Sequence, residues 1–339
     1  MSPRHKAEPG LLFHADALDT CSALGAPAFD LVYIDPPFNV GGSFAARTQR
    51  GEARGRRTKG SGPEAYSDAW GGRAQFLSML RPRLAAVRDL MKPEASLWLH
   101  LDYRTVHHAK VMCDEIFGAG AFRGEIVWVP GNGARGRGPS VTHQTLLIFS
   151  RDASPGATMV WNGDDPALRE PFAPTSLQMH FRARTADGRA YRERTIGGKT
   201  YRYYADQGRK LGSVWADIPG MNANTPLRKE GTGYPTQKPE PLLERIVRAA
   251  SQPGDTVADL MCGSGTTLVV AARLDRRFIG GDASALAIET ASGRLDREGV
   301  TYRLAAAGRS PSDADGAVEG GTRETRNGRA ATGERATRR

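Results

Sequence analysis

The stretch Asp259-Leu260-Met261-Cys262-Gly263-Ser264-Gly265-Thr266-Thr267 joins an apolar run, Thr256 to Leu260, that reads as a buried strand to a run from Thr266 that reads as a helix. Glycines at 263 and 265 let the backbone turn tightly and approach a ligand, and the helix N-terminus behind them favours a carboxylate. A dinucleotide fingerprint needs a third small residue at position 268, which is Leu268, and no Gly-Lys-Ser/Thr ending follows, so a P-loop is excluded. Asp282 stands 17 residues after Gly265, beyond a second predicted strand from Arg277 to Gly280, where a carboxylate can accept hydrogen bonds from ribose hydroxyls. The pattern favours a nucleoside cofactor without phosphates. Taken alone, Gly-x-Gly is a weak signal and is more often a plain strand-to-helix turn.

Outward from this turn the same alternation recurs. Phe29–Ile34 reads as a buried strand, and Phe76, Met79, Leu80, Leu84, Val87 and Leu90 recur at helical spacing with Pro82 as a point of kinking. Ser96–Leu101, Glu125–Val129 and Thr145–Phe149 read as strands, Val106–Phe117 and Pro239–Ala250 as helices, and a last helix begins at Ser284. Strands alternating with helices predict an α/β fold with a mostly parallel sheet. Between Pro166 and Pro235 the alternation lapses into turns, Gly, Pro and charge, which marks an insertion. After Leu304 almost nothing apolar remains to bury, so residues 305–339 read as a disordered tail.

Asp35-Pro36-Pro37-Phe38 directly follows the strand ending at Ile34. The prolines fix the backbone and remove two N–H donors, leaving the carbonyl side of the turn free to accept. Asp35 adds an acceptor-only carboxylate at the carboxyl end of a strand, where α/β proteins bind ligands, and Phe38 an aromatic face. Together they could hold a planar heterocycle bearing an amino group. The bland alternative is a rigid turn with a capping Asp and a buried Phe.

Lys and Arg number 47 against 37 Asp and Glu, a net charge of +10. Seven basic residues lie between Gly41 and Arg73 against three acidic ones, and nine between Phe181 and Lys210 against three, so the whole excess sits in two stretches. That is how an electrostatic footprint for a polyanion looks, although a solvated surface would look similar. The second stretch interleaves Tyr191, Tyr201, Tyr203 and Tyr204 with its cations, as phosphate neutralisation combined with base stacking would require. The hydrophobic share of 39% excludes a wholly disordered chain. Three widely spaced cysteines give neither a disulfide framework nor a zinc pattern and fit a reducing cytoplasm, so no metal is expected. With no apolar leader and no apolar run of about 18 residues, membrane and secretion readings are set aside.

Taken together, these residues closely resemble the β group of S-adenosylmethionine-dependent DNA amino-methyltransferases, in which the Asp-Pro-Pro turn comes first, a variable region second and the cofactor turn last. Five ordered blocks carry the resemblance: Tyr33–Asn39, Ser96–Asp102, Asp114–Gly118, Gly233–Pro239 and the Gly-rich turn. The resemblance implies a Rossmann-like seven-stranded methyltransferase sheet with circularly permuted motif order. It divides the chain into a catalytic half at 11–165, a target-recognition insertion at 166–232, a cofactor half at 233–304 and the tail. It places Asp16, Thr236, Gln237, Lys238, Pro239, Asp259, Gly263, Gly265, Thr266 and Asp282 around S-adenosylmethionine, and Asp35, Pro36, Pro37 and Phe38 at the reacting amine. Arg54, Arg56, Arg57 and Lys59, with Arg192, Arg194, Lys199 and Arg202, become the candidate contacts to double-stranded DNA. Where the family commonly carries Asp-Pro-Phe ahead of its Gly-rich turn, Leu260 and Met261 stand here.

An Asp before Pro-Pro favours adenine N6 as the target over cytosine N4, where Ser is commoner. In the mechanism this implies, hydrogen bonds from the exocyclic amine to Asp35 and the Pro36 carbonyl localise its lone pair and aim it at the methyl group, and Phe38 stacks on a base flipped from the duplex. The resemblance also admits a homodimer, a cognate restriction endonuclease and a cytoplasmic, nucleoid-associated protein of bacterial or phage origin. Three other readings remain open: cytosine N4 as target, a non-catalytic DNA-binding subunit, and methylation of RNA or protein.

Overall fold

Phe29–Ile34, read from the sequence as a buried strand, lies at the centre of the sheet, with Asp30 as its one charged residue. The computed structural model describes residues 9–37, 43–45, 64–67, 72–131, 138–154, 156–221 and 226–306. The main sheet comprises β1 (Gly10–His14), β2 (Phe29–Ile34), β3 (Met91–Leu101), β4 (Phe122–Trp128), β5 (Gln144–Ser150), β6 (Val214–Trp215), β7 (Thr256–Asp259), β8 (Arg277–Asp282) and β9 (Tyr302–Ala306). Their order across the sheet is β6-β4-β5-β3-β2-β7-β8-β1-β9, and only β5 runs antiparallel to its neighbours. Seven strands, β1 to β5 with β7 and β8, form the expected sheet. The two-residue β6 and the strand β9 extend its edges. Both halves of the chain share this one sheet, because β7 pairs with β2 through Val257–Leu31 and Ala258–Val32.

Helices cover both faces, and the alternation of side chains along the central strands explains why. Val32, Ile34, Leu97, Leu99 and Leu101 face a core built with α2 (Arg73–Leu90) and α3 (Val106–Phe117), to which Phe76, Leu80, Leu84, Met112 and Phe117 contribute. Leu31, Tyr33 and Trp98 face the opposite core, built with α5 (Glu240–Ala250), α6 (Thr266–Arg273) and α7 (Ala285–Arg297). Strands buried on both faces need the continuous apolar runs seen here. The helix α2 runs through Pro82 without ending.

Several boundaries differ from expectation. The strand β3 begins five residues before the predicted Ser96, because Met91 pairs with Phe29 ahead of a register shift that lets Lys92-Pro93-Glu94 pass the ladder. The strand β9 reaches Ala306, two residues into the segment read as tail, and the remainder of that segment lies outside the described residues. In the segment read as an insertion, which holds the short helix α4 (Pro174–His180), Leu168 and Trp215 are buried against the α5 side of the sheet, and a hairpin of Ala190–Ile196 and Lys199–Tyr204 turns at Gly197-Gly198, both at positive φ as a two-residue turn requires.

Candidate active site

The strand order reverses between β7 and β2, and the carboxyl ends of β1, β8, β7 and β2 open onto one cavity of about 310 Å³. Each strand end contributes a carboxylate to its lining: Asp16 after β1, Asp282 from β8, Asp259 from β7 and Asp35 after β2. Pro36, Pro37, Gly263 and the segment Tyr234–Lys238 complete much of the wall. Residues more than 200 positions apart thus converge for a topological reason. Phe38 and the four basic residues Arg54, Arg56, Arg57 and Lys59 lie outside the described residues.

Asp35 is nearly buried. Its Oδ2 is ion-paired with Lys238 Nζ, and its Oδ1, cut off from solvent, has no hydrogen-bond partner among the described residues. Burial pushes this carboxyl up, and the Lys238 ammonium opposes that rise. Behind it, the hydroxyl of Tyr33 lies 2.8 Å from His100 Nδ1. Burial, reinforced by the charge of Lys238, holds the His100 imidazole well below its usual range, so it is neutral at physiological pH.

In the Gly-rich turn, Asp259 accepts from Thr267 Oγ1 at 2.6 Å and from the Met261 amide at 3.3 Å, yet burial still pushes its carboxyl up to about 7. Asp282 accepts from the Gly263 amide on Oδ2 and the Ser284 amide on Oδ1, both at 2.9 Å. Two amides fix its orientation, and the remaining lone pairs are left for a ligand. Gly263 has φ +50° and Gly265 +74°. A Cβ on Gly265 would stand 2.8 Å from the Cβ of Ala291 in α7, so this glycine lets two helices meet rather than lining the cavity.

The other predicted cofactor residues divide by what their polar atoms already do. Asp16 caps α1 (Ala17–Leu24) through the Leu18 amide and accepts two hydrogen bonds from the Arg83 guanidinium, at 2.6 and 3.2 Å. Gln237 lines the cavity, but its amide bonds the Thr232 backbone and hydroxyl and the Glu230 carbonyl. The Thr266 hydroxyl ties the Lys238 carbonyl to Arg294, itself buried and paired with Glu240. Pro239 precedes α5 and lies outside the lining. Thr236 has φ +58°, a conformation that a β-branched residue rarely adopts. Met79 and Arg83 also line the site, one turn apart on α2, and no motif marked them.

On the hairpin, side-chain alternation separates the predicted cations. Arg192, Arg194, Lys199 and Tyr201 share one face, whereas Arg202 lies on the other, paired with Glu193 and stacked over Tyr191. Arg192 is packed among Phe172, Phe181 and Tyr203, so its charge is engaged within the fold. Arg194 and Lys199 are exposed. Among the described residues there is no cluster of His, Cys, Asp or Glu able to hold a metal ion, and no helix long and apolar enough to cross a membrane.

Comparisons with known proteins agree with this arrangement. The sequence model of the family described as DNA methylase, N6_N4_Mtase, matches residues 29–292. The chain is 26% identical over 291 residues to the DNA adenine methyltransferase YhdJ of Escherichia coli (strain K12), covering 85% of this chain and 83% of that one. It is 25% identical over 308 residues to the type II methyltransferase M.EcaI of Enterobacter cloacae, covering 78% of this chain but only 64% of that longer protein. The fold is similar to the crystal structure of the putative DNA modification methylase TTHA0409 of Thermus thermophilus, complexed with S-adenosyl-L-methionine. That comparison gives a TM-score of 0.50 at 18% identity, with 88% of this chain and 99% of that one covered. A family match over most of the chain, on all the strand ends that build the cavity except that of β1 with Asp16, places this protein in the N6/N4 DNA methylase family.

Proposed function

We propose that the protein transfers a methyl group from S-adenosylmethionine to the exocyclic N6 of adenine in double-stranded DNA. The observation that carries this reading is Asp35: a desolvated carboxylate at the end of β2 with one oxygen held by Lys238 and the other unspent, in the same cavity as the Gly-rich turn. An exocyclic amine is a weak nucleophile because its lone pair is delocalised into the ring, and an N–H donated to Asp35 Oδ1 would return that density to nitrogen. The residues fit S-adenosylmethionine on their own chemistry. Asp282, fixed by two amides, suits ribose hydroxyls, Asp259 suits a cationic centre, and Pro235, Leu260 and Met261 supply apolar wall. When bound, that cofactor supplies an electrophilic methyl on a sulfonium.

Adenine is preferred to cytosine because Asp rather than Ser precedes Pro36-Pro37, and the relative YhdJ is named a DNA adenine methyltransferase. The type II designation of M.EcaI supports a cognate restriction endonuclease as partner. Radiolabelled methyl transfer to duplex DNA in competition with RNA tests the substrate class. Label in DNA is expected, and label confined to RNA would overturn the reading.

Two further results are expected. Asp282→Ala removes the fixed acceptor and should weaken S-adenosylmethionine binding roughly tenfold to a hundredfold by calorimetry; unchanged affinity would remove Asp282 from the cofactor site. Replacing Arg194 and Lys199 together by Ala should lower the slope of log affinity for DNA against log salt by about 2, at roughly 0.9 per phosphate contact. An unchanged slope would make this hairpin face a solubility feature.

A further inference from the structure

The segment Gly233–Pro239 raises a question that its expected place beside the cofactor does not answer. Lys238 is 8% exposed, and its ammonium crosses the cavity wall to Asp35, 203 residues earlier in sequence. Its approach is built on both sides. On one side, Thr236 adopts its positive φ while the Gln237 amide is locked to Thr232 and Glu230. On the other, the Lys238 carbonyl accepts from Thr266 Oγ1 at 3.3 Å and α5 begins two residues later. Backbone held in a sparsely populated conformation is characteristic of positions whose geometry matters to function.

Resting on the proposed methyl transfer, we infer that Lys238 is a positioning residue for the amine acceptor: its ammonium holds Asp35 Oδ2 and leaves Oδ1 to receive the target N–H. The groups facing Asp35 show why a cation is needed. Tyr33 on β2 and His100 on β3 are neutral, the phenol raised and the imidazole lowered chiefly by burial. Asp259 on β7 is a second buried carboxyl, pushed up by burial and further by the charge of Asp35, so it offers Asp35 no compensating positive charge. With Lys238 absent, burial would favour protonated Asp35, and a carboxylic acid is a far poorer acceptor than a carboxylate. Removing the cation therefore raises the pH at which Asp35 becomes ionised.

The test compares wild type with Lys238→Gln and Lys238→Arg, measuring kcat against pH at saturating DNA and cofactor, and S-adenosylmethionine affinity by calorimetry. In Lys238→Gln the acid limb of kcat should move up by roughly one to three pH units, with cofactor affinity changed less than about threefold. Lys238→Arg, which keeps the charge, should retain the wild-type acid limb at reduced kcat. An unmoved acid limb in the Gln variant, together with cofactor affinity weakened tenfold or more, would make Lys238 a cofactor ligand and overturn the inference. Should the Gln variant fail to fold, the Arg variant decides: wild-type kcat with weakened cofactor binding is the contrary result. Wild-type protein that transfers no methyl group to DNA overturns the parent reading and the inference with it, whereas wild-type transfer with the contrary variant result overturns the inference alone.

Discussion

Asp35→Ala is expected to reduce methyl transfer to DNA by at least about 10²–10³-fold, the usual cost of deleting one group that stabilises charge in a transition state. The loss should appear in kcat, with S-adenosylmethionine affinity little changed, because the role proposed for Asp35 is at the amine and that for Asp282 at the cofactor. The substitution also strands the buried Lys238 ammonium, and breaking a buried pair costs about 3–5 kcal/mol of stability. Asp35→Asn separates the two effects. It preserves the shape and an oxygen for Lys238, but lacks the negative charge that polarises an amine. The same kinetic loss is expected from this variant with most of the stability restored. Wild-type kcat in Asp35→Asn would contradict the assigned role.

The second large effect concerns the fold beneath the cofactor turn. Gly265→Val should lower unfolding free energy by roughly 2–5 kcal/mol in urea titration, combining a left-handed conformation that costs about 1–2 kcal/mol with overpacking that costs about 1–3 kcal/mol. The geometric cause is its φ of +74° and the Cβ contact of 2.8 Å with Ala291. The α6–α7 packing would have to open, taking with it the Thr266–Arg294–Glu240 linkage. Gly263→Ala makes a useful contrast. Its Cβ would meet the edge of the Tyr234 ring at 3.2 Å, a looser approach than the 2.8 Å at Gly265 and one to a ring lining the cavity, so the cost should be smaller and felt in the cavity. Equal stability losses for the two variants would contradict this account.

The sequence made legible whatever depends on local pattern. The run Leu31–Ile34 is apolar on both faces and proved to belong to a central strand. The Asp35 and Asp259 turns sit at strand ends because short apolar runs terminate there. Partners chosen by the tertiary fold left no such mark. Lys238 reads as part of a motif, and nothing near it in sequence indicates that its ammonium reaches Asp35. Arg83 is one cation among many on an amphipathic helix until α2 lays it against Asp16. Charge counting also could not distinguish Arg192, packed among aromatic rings, and Arg202, paired with Glu193, from Arg194 and Lys199. Composition reports how much charge a segment carries. The fold decides how much of it faces outward.

The most direct test of the central claim is mass spectrometry of nucleosides from duplex DNA treated with the protein and S-adenosylmethionine. N6-methyladenine is expected with wild type and should be lost in Asp35→Ala. N4-methylcytosine in its place would contradict the adenine assignment, and DNA left unmethylated by wild type would contradict the account as a whole.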